Sequence, residues 1–397
     1  MSKPRAGGAQ EERRPGGIRR LRRWALLAVV ALTPGTSTAQ GQTFGTMAFS
    51  TTHTYDDNLF ATPASRGRDG DFISRFGPTI EAGHRSLPLT LVGRYAVDAE
   101  RYWHHAGLNR HVARQDGAVQ VDYRSTRRLT LNGRASYVET QTPLEFNVNS
   151  RLALGRVHAE RVTAGSANTY ALDAATRLTL DYEFAREGLA DQPYTIAHYP
   201  RTGIEWRADP RTTYRFDYRA RRLGIRGGDV DVSHILAAGM ARQLTRLMHV
   251  ELEVGPRLSD GAIHPELSAT LQGRVGPSVL SLGYADTEVR LLGEAGGIDM
   301  RRLSASVTYQ PWRHVTLTAA PAFVRSTLGR RYATVRTVEL EAAIRLTPEL
   351  SLVTSSRAGR QEGNLSGSHE DIPYRSLGMT LRAALPAKGN RTREPRQ

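Results

Sequence analysis

The chain has 397 residues, of which 39% are hydrophobic, 23% charged and 7% aromatic, and its formal net charge is +15. It contains no cysteine, which excludes disulfides, thiolate metal ligands and cysteine nucleophiles. A membrane-spanning helix needs about 18 or more consecutive apolar residues, whereas the longest apolar run extends only from Trp24 to Leu32. The composition therefore leaves a β-rich protein or an ordinary soluble one.

The first 39 residues are typical of an export signal. A stretch rich in lysine and arginine precedes the apolar run, and Pro34 and the small residues Ser37, Thr38 and Ala39 follow it. This order of charged, apolar and small residues predicts a secretory signal peptide over residues 1–39, with cleavage after Ala39. An amphipathic anchor helix that stays attached is the alternative. Export is compatible with a Gram-negative bacterial source.

Much of the positive charge lies at the two ends of the chain. Residues 1–39 carry a net charge of +6 and residues 387–397 carry +3, which leaves +6 on residues 40–386. A net charge of +6 over residues 40–386 is too small to indicate nucleic-acid binding, so we predict no nucleic-acid partner. We interpret residues 387–397 as a basic, disordered tail.

From about residue 44 onward, apolar and polar side chains alternate with period two, which is the signature of β-strands. In 129–137, Leu129, Leu131 and Tyr137 share one face, and Asn132 and Arg134 share the other. The same alternation recurs in 178–184, 214–219, 248–254, 338–346 and 377–385. No segment has a sustained helical period. We count eighteen strands, the first near 44–55 and the last near 374–386, with sixteen as the second choice.

The connections between these strands alternate between short and long. Short joints with turn residues, such as Asp209-Pro210-Arg211, separate longer polar stretches that include 56–71, 103–111, 141–157, 187–194, 291–300 and 361–372. This pattern predicts an all-β fold over 40–386, a transmembrane antiparallel β-barrel of the outer membrane. Short turns and both mature termini are expected in the periplasm, and the longer loops outside the cell. A soluble β-sandwich, with strands of about 5–6 residues, is the alternative.

Charged residues fall on the strand face opposite the apolar one. An arginine facing lipid at mid-bilayer costs about 2–4 kcal/mol, so these side chains are expected to face a watery lumen. Most would stiffen the wall through cross-strand ion pairs, and a subset at the narrowest point would select solutes. The loop 141–157 is the predicted constriction. The selectivity candidates are Arg94, Arg124, Arg134, Arg215, Arg219, Arg274, Arg302, Arg345, Arg357, Asp181, Asp217, Glu251 and Glu253.

The first strand ends in a recognisable segment, Tyr55-Asp56-Asp57-Asn58-Leu59-Phe60. Following an export signal, it resembles the opening of a family of β-barrel porins that includes outer-membrane barrels encoded in exopolysaccharide operons. The resemblance extends over 44–386, although the last strand lacks the closing aromatic residue usual in such barrels. It implies outer-membrane lipid, lipopolysaccharide and the barrel-assembly machinery as partners, and exopolysaccharide or small charged solutes as cargo.

Two polar clusters have a metal-binding interpretation and a simpler one. The first loop offers oxygen ligands suited to calcium, but Asp and Asn also form turns where a strand ends, and we favour turns. The pair His104 and His105 could bind a transition metal, but we favour a polar rim beside an aromatic girdle of Tyr102 and Trp103. No metal and no cofactor is predicted. The first-loop oxygens belong to Asp56, Asp57, Asn58, Asp69 and Asp71.

The sequence contains no His-Glu-x-x-His, Gly-x-Ser-x-Gly or phosphate-binding Gly-Lys-Ser/Thr motif. We therefore predict no enzyme activity and interpret the chain as a porin-like passive conduit. A link to exopolysaccharide export is implied by the resemblance alone. A closed structural or adhesive barrel without transport is the alternative, and an open or a plugged lumen distinguishes the two.

Overall fold

The structure, a computed structural model, describes residues 41–386 except 154, 191, 226, 227, 229, 293–295, 364 and 366–369. The predicted signal peptide over 1–39 and the predicted tail over 387–397 lie outside the described residues. No helix in the described part of the chain is long and apolar enough to cross a membrane.

Eighteen strands of 12 to 16 residues follow one another along the described chain. They are β1 (Gln42–Asp56), β2 (Asp71–Arg85), β3 (Leu89–Tyr102), β4 (Arg110–Arg124), β5 (Leu129–Thr140), β6 (Ala159–Ala171), β7 (Thr176–Leu189), β8 (Thr195–Asp209), β9 (Thr212–Ile225), β10 (Val230–Thr245), β11 (Met248–Ser259), β12 (Ala262–Val275), β13 (Ser278–Arg290), β14 (Gly297–Trp312), β15 (Val315–Leu328), β16 (Arg331–Arg345), β17 (Leu350–Glu362) and β18 (Asp371–Pro386). The count of eighteen is confirmed.

These strands form one closed antiparallel barrel. Each strand pairs with its neighbours in sequence, and β1 pairs with β18 over Thr46–Asp56 and Ser376–Pro386. Closure gives every strand a hydrogen-bonded neighbour on both sides, which is what a sheet within lipid requires. The predicted barrel is therefore confirmed, and the sandwich alternative is wrong.

Short and long connections separate onto the two ends of the barrel. The end that holds Gln42, Pro386 and the short joints is called the turn end here, and the opposite end the loop end. Two loop-end connections depart from the predicted pattern, because 260–261 and 329–330 are two-residue turns. Asp260 and Gly261 both have positive φ, 51° and 73°, which is the conformation that a tight type I′ hairpin turn needs.

The strand register sends large apolar side chains outward. Leu131, Leu252 and Phe216 are 36%, 43% and 54% exposed, and each lies between residues that face the interior. Inside the loop end, Leu152 packs in an apolar cluster with side chains of β14–β16 and of two further loop-end connections. That cluster places part of the connection between β5 and β6 within the barrel.

Candidate functional site

All nine predicted arginines lie on strand positions that face the interior. Arg215 alternates with the exposed Phe216, and Arg302 alternates with the exposed Leu303. Register extends this inward direction around the barrel, so the acidic candidates Asp181, Asp217, Glu251 and Glu253 share it. Their part in solute selection stays a prediction.

These arginines differ in whether they are neutralised. Four are ion-paired, among them Arg134 with Glu183 and Arg357 with Glu339 at 2.8 Å. The other five have no ion pair among the described residues. Three of those five, at the turn ends of β4, β12 and β16, would leave uncompensated positive charge at that mouth. The five are Arg94, Arg124, Arg274, Arg302 and Arg345.

The remaining two paired candidates meet at one buried carboxylate on β9. The Asp217 side chain is 1% exposed, and it lies 2.9 Å from Arg215 and 3.1 Å from Arg219. Arg201 on β8, which sequence reasoning missed, is its third partner at 3.0 Å. Glu253 on β11 accepts from Arg215 at 2.6 Å and from Arg219 at 2.5 Å. This network stiffens the wall.

The last two acidic candidates take little part in that network. Asp181 lies 3.7 Å from Arg201. Glu251 is 63% exposed and pairs with His249 at 3.0 Å.

Sequence reasoning also missed a set of buried ion pairs nearer the loop end. The Glu187 side chain is fully buried between Arg161 and Arg290, the second at 2.7 Å. Glu266 lies 2.5 Å from Arg221 and 3.4 Å from Arg257. The inward direction of these strand residues could be predicted from the sequence. The contacts of Glu187 with Arg290 and of Glu266 with Arg221 could not, because they join strands that are not neighbours.

The connection between β5 and β6 begins against the near wall. Glu145 accepts a hydrogen bond from Arg114 on β4 at 2.9 Å and lies 3.6 Å from Arg75 on β2. Arg156 donates to the Thr142 hydroxyl at 2.7 Å, which closes the loop on itself. These contacts fix the two parts of the loop that adjoin β5 and β6.

The tip of the same loop reaches the opposite wall. Arg151 donates to Glu339 at 2.6 Å and to Thr337 at 3.1 Å, both on β16. The backbone N–H of Ala153 donates to Gln361 on β17 at 2.9 Å. Since β6 and β16 lie about half the circumference apart and Glu339 is near the middle of β16, the loop crosses the lumen. The prediction that 141–157 folds inward is confirmed.

Apolar and cation–π contacts hold the loop in that position. Leu152 is 4% exposed in its cluster with Ile298 and Val335. Phe146 packs on Leu292, and the Arg161 guanidinium lies 4.5 Å from the Phe146 ring centroid. The crossing is thus fixed by burial at both ends.

Two adjoining cavities, of about 580 and 200 Å³, lie between the loop and the wall formed by β15–β18, β1 and β2. Positive and negative side chains both line them. Among the nine predicted arginines, Arg357 borders the cavities, and sequence reasoning missed the other four. The charged lining is Arg75, Arg151, Arg156, Arg357, Arg375, Asp56, Glu145, Glu339 and Glu341.

The motif at the end of β1 ties the first loop to β18. Asp56 accepts the N–H of Asn58 at 3.0 Å, which is an Asx turn. Asp57 accepts the N–H of Arg375 at 2.5 Å, and the Asn58 amide donates to the Pro373 carbonyl at 2.8 Å. The polar members of the motif therefore make structural contacts.

The aromatic members of this motif pack against neighbouring rings. Tyr55 lies 4.8 Å from Phe72, and Phe60 lies 5.4 Å from His105, between ring centroids. The first contact joins the end of β1 to β2, and the second joins the first loop to the connection after β3.

The histidines after β3 bind carboxylates of the first loop. Asp71 is fully buried and accepts the N–H groups of Trp103 and His105, at 3.1 and 2.9 Å. The His105 ring lies 2.8 Å from Asp71 and 2.9 Å from Asp69. These two carboxylates raise the pKa of His105 above its ordinary value. Among the described residues, no group of side chains has metal-binding geometry.

The expected position of Tyr102 in an outward aromatic girdle is wrong. Tyr102 is 5% exposed and donates its hydroxyl to Glu100 at 2.6 Å. Because strand residues two apart share a face, Tyr102 faces inward with Glu100. Trp103, the next residue, is 73% exposed.

The barrel is similar in fold to solved bacterial outer-membrane proteins. OpdO from Pseudomonas aeruginosa has 12% sequence identity and a TM-score of 0.51, and the match covers 87% of this chain and 97% of that chain. The outer membrane protein OpdK from the same organism has 12% identity and a TM-score of 0.50, with 86% and 99% covered. No protein-family model and no curated protein matches the sequence. At this identity the likeness shows the fold.

Proposed function

We propose that this chain forms a passive channel in the outer membrane of a Gram-negative bacterium and conducts small anionic solutes. The turn end, with both ends of the barrel domain, faces the periplasm, and the loop end faces the exterior. The outward apolar side chains and the fold likeness to OpdO and OpdK support placement in the outer membrane. The orientation is proposed because short turns of such barrels face the periplasm. No catalytic role is proposed.

The observation that carries the proposal is the loop that crosses the lumen with two adjoining cavities beside it. A loop held by the Arg151–Glu339 contact at 2.6 Å and by burial of Leu152 limits the size of a solute. Charges of both signs line these cavities, so positive side chains are available there to an anion. The unpaired arginines at the turn end supply the positive potential that concentrates them.

Small solutes fit this arrangement better than a polymer. A polysaccharide chain needs a continuous wide bore, whereas the loop occupies the middle of this one. The export of an acidic exopolysaccharide is the second candidate, favoured by the resemblance of the segment from Tyr55 to Phe60. In this barrel the polar groups of that segment bind the first loop and β18. These contacts give a local structural reason for the residues of the segment, without a role in export.

Single-channel recording in a planar bilayer with a potassium chloride gradient tests the proposal. We expect steady conductance and a reversal potential of the sign that chloride preference gives. Vanillate, a carboxylate with which OpdK has been crystallised, is a suitable probe and should interrupt the current. A folded, heat-modifiable barrel without conductance would contradict the proposal and favour the closed structural or adhesive barrel.

A further inference from the structure

A group of arginines faces outward on five consecutive strands, β14 to β18. Register places Arg301 directly opposite Arg325, and Arg336 directly opposite Arg360. Arg375 on β18 is the neighbour of Ala358, one outward position nearer the turn end than Arg360. We call these five residues the arginine face.

Large apolar side chains cover the outer surface of the barrel in a belt, and each arginine of this face lies at the border of that belt nearest the loop end. The next outward residue toward the turn end is Leu303 after Arg301, and Val338 after Arg336. Lipid-facing arginine costs about 2–4 kcal/mol at mid-bilayer and about 0–1 kcal/mol near the interface. The arginine face therefore fits the level of the lipid head groups at the loop end.

The protein neutralises the arginine face only in part. Arg301 lies 3.0 Å from Asp286, and its side chain remains 67% exposed. Arg336 lies 3.4 Å from Glu362, and Arg360 lies 2.8 Å from Asp371, with the two arginine side chains 61% and 58% exposed. Arg325 and Arg375 have no ion pair among the described residues. Like charges directly opposite across two strands are destabilising, and five exposed arginines beside three paired carboxylates leave a surplus of positive charge that suits an external anion.

An apolar groove lies directly below these charges. Its volume is about 910 Å³, and Arg336, Arg360 and Arg375 border it. Small outward side chains form its floor, and bulkier ones form its sides. Such a groove has the shape and chemistry to hold an acyl chain whose head group lies among the arginines. The floor includes Ala305, Pro321 and Ala358, and the sides include Leu303, Phe323 and Val338.

In the described part of the chain, outward arginines outside β14–β18 do not cluster in this way. Arg222 on β9 is exposed and lies between His198 and Val232 on the adjacent strands. Arg186 on β7 pairs with Glu160 at 3.6 Å and stacks on Tyr194 at 3.8 Å. The combination of opposed arginines and an apolar groove is thus specific to one side, and it fits an anionic amphiphile.

We propose that the arginine face and its groove bind lipid A, the phosphorylated glycolipid portion of lipopolysaccharide. Its phosphates accept hydrogen bonds from Arg336 and Arg360, and one acyl chain lies in the groove over Ala358. Guanidinium groups suit this task, because they form paired, charge-assisted hydrogen bonds with phosphate. The proposal rests on the proposed function in one respect, the exterior position of the loop end.

Native mass spectrometry of the purified barrel with added lipid A tests this site. The wild type should retain lipid A, and the variant Arg336→Gln/Arg360→Gln should bind it at least about tenfold more weakly, because it lacks both of the charge-assisted hydrogen-bond donors to phosphate. Lipid A without its phosphates should bind the wild type as weakly. Arg222→Gln is the matched control and should bind like the wild type.

Thermal unfolding separates loss of the site from loss of the fold. Lipid A should raise the Tm of the wild type and of Arg222→Gln, but not that of the double variant. Without lipid A the double variant should unfold near the wild-type Tm, because it loses one like-charge pair together with two exposed ion pairs, which contribute little to stability. Ala358→Trp, which fills the groove, should also abolish the lipid A effect.

Three results would overturn the site. They are equal retention by the wild type and the double variant, equal retention of dephosphorylated lipid A, and a dimer in light scattering that Ala358→Trp dissociates. The third would make the groove a contact between two copies of the chain. Channel conductance is recorded separately, so its presence or absence does not decide this proposal.

Discussion

Asp217 is the residue on which three arginines of the lumen wall depend. Its side chain is 1% exposed and contacts Arg201, Arg215 and Arg219. Removing one partner of a buried pair costs about 3–5 kcal/mol, because the remaining charge is uncompensated. We expect Asp217→Ala to lower the free energy of unfolding by about 3 kcal/mol, measured by urea titration in lipid vesicles. Asp181→Asn, which touches Arg201 at 3.7 Å and is 29% exposed, should cost less than about 1 kcal/mol.

His105 makes the order of the first loop depend on pH. Asp71 and Asp69 raise its pKa, so the protonated ring stabilises the folded state. That contribution is complete below the unfolded pKa of about 6.5 and is lost as the pH rises through the raised folded value. Proteolysis of the connection 57–70 should therefore accelerate as the pH rises through that value. His105→Gln should remove the pH dependence, and Asp69→Asn should move it to lower pH; an unchanged profile in both would contradict this role.

At the scale of one element, the crossing loop sets the width of the proposed channel. Arg151→Ala removes the contact with Glu339 and Thr337, while Leu152 still packs in its apolar cluster and Ala153 still donates to Gln361. We expect noisier current at similar mean conductance, because the tip loses one of its three anchors. The double variant Arg151→Ala/Leu152→Asp leaves only the Ala153 hydrogen bond, and it should release the tip and raise the conductance severalfold.

Arg127→Ala is the control for these loop variants, since Arg127 is exposed in the turn-end joint after β4. It should leave single-channel traces unchanged. Loop variants that also left the traces unchanged would mean that the loop does not bound the conducting path.

Substitutions on the two faces of the barrel wall should have opposite effects on assembly. Leu252 is 43% exposed on the outside, and Leu252→Arg should cost about 2–4 kcal/mol and prevent membrane assembly. Arg215→Leu should still assemble, since Glu253 keeps Arg219 and Asp217 keeps Arg201 and Arg219. The heat-modifiable band on a gel reports assembly. Equal damage from the two substitutions would mean that the faces are reversed.

At the scale of the whole molecule, the proposed anion preference comes from the positive field of the unpaired arginines at the turn end, which salt screens. The screening length falls from about 10 Å at 0.1 M to about 3 Å at 1 M salt. Chloride preference should therefore be large at 0.1 M potassium chloride and should fall toward a small residual value at 1 M. The triple variant Arg124→Gln/Arg274→Gln/Arg345→Gln should show that residual value at both concentrations, and an unchanged preference would place selection elsewhere.

Part of this site was predictable because a strand side chain's direction depends only on its position along the strand. The inward direction of Arg357 and Asp217 follows from period two, and so does that of Arg75, although it was not singled out. The prediction for Tyr102 was wrong, because an aromatic residue beside a loop was assigned to the outward girdle. Tyr102 and Glu100 are two residues apart on β3, so their side chains share the inward face. Arg151 and Arg156 lie in a loop, where no period gives a direction.

The sequence by itself determined the number of strands, the two ends of the barrel and the two faces of the wall, because alternation and turn chemistry are local. Only the tertiary structure decided which side chains meet. Arg151 and Glu339 are 188 residues apart, and their contact exists because the sheet closes and brings opposite walls within reach of one loop. The same closure lines up Arg336 with Arg360 on the outside, since pairing between strands fixes a register that neither strand carries alone.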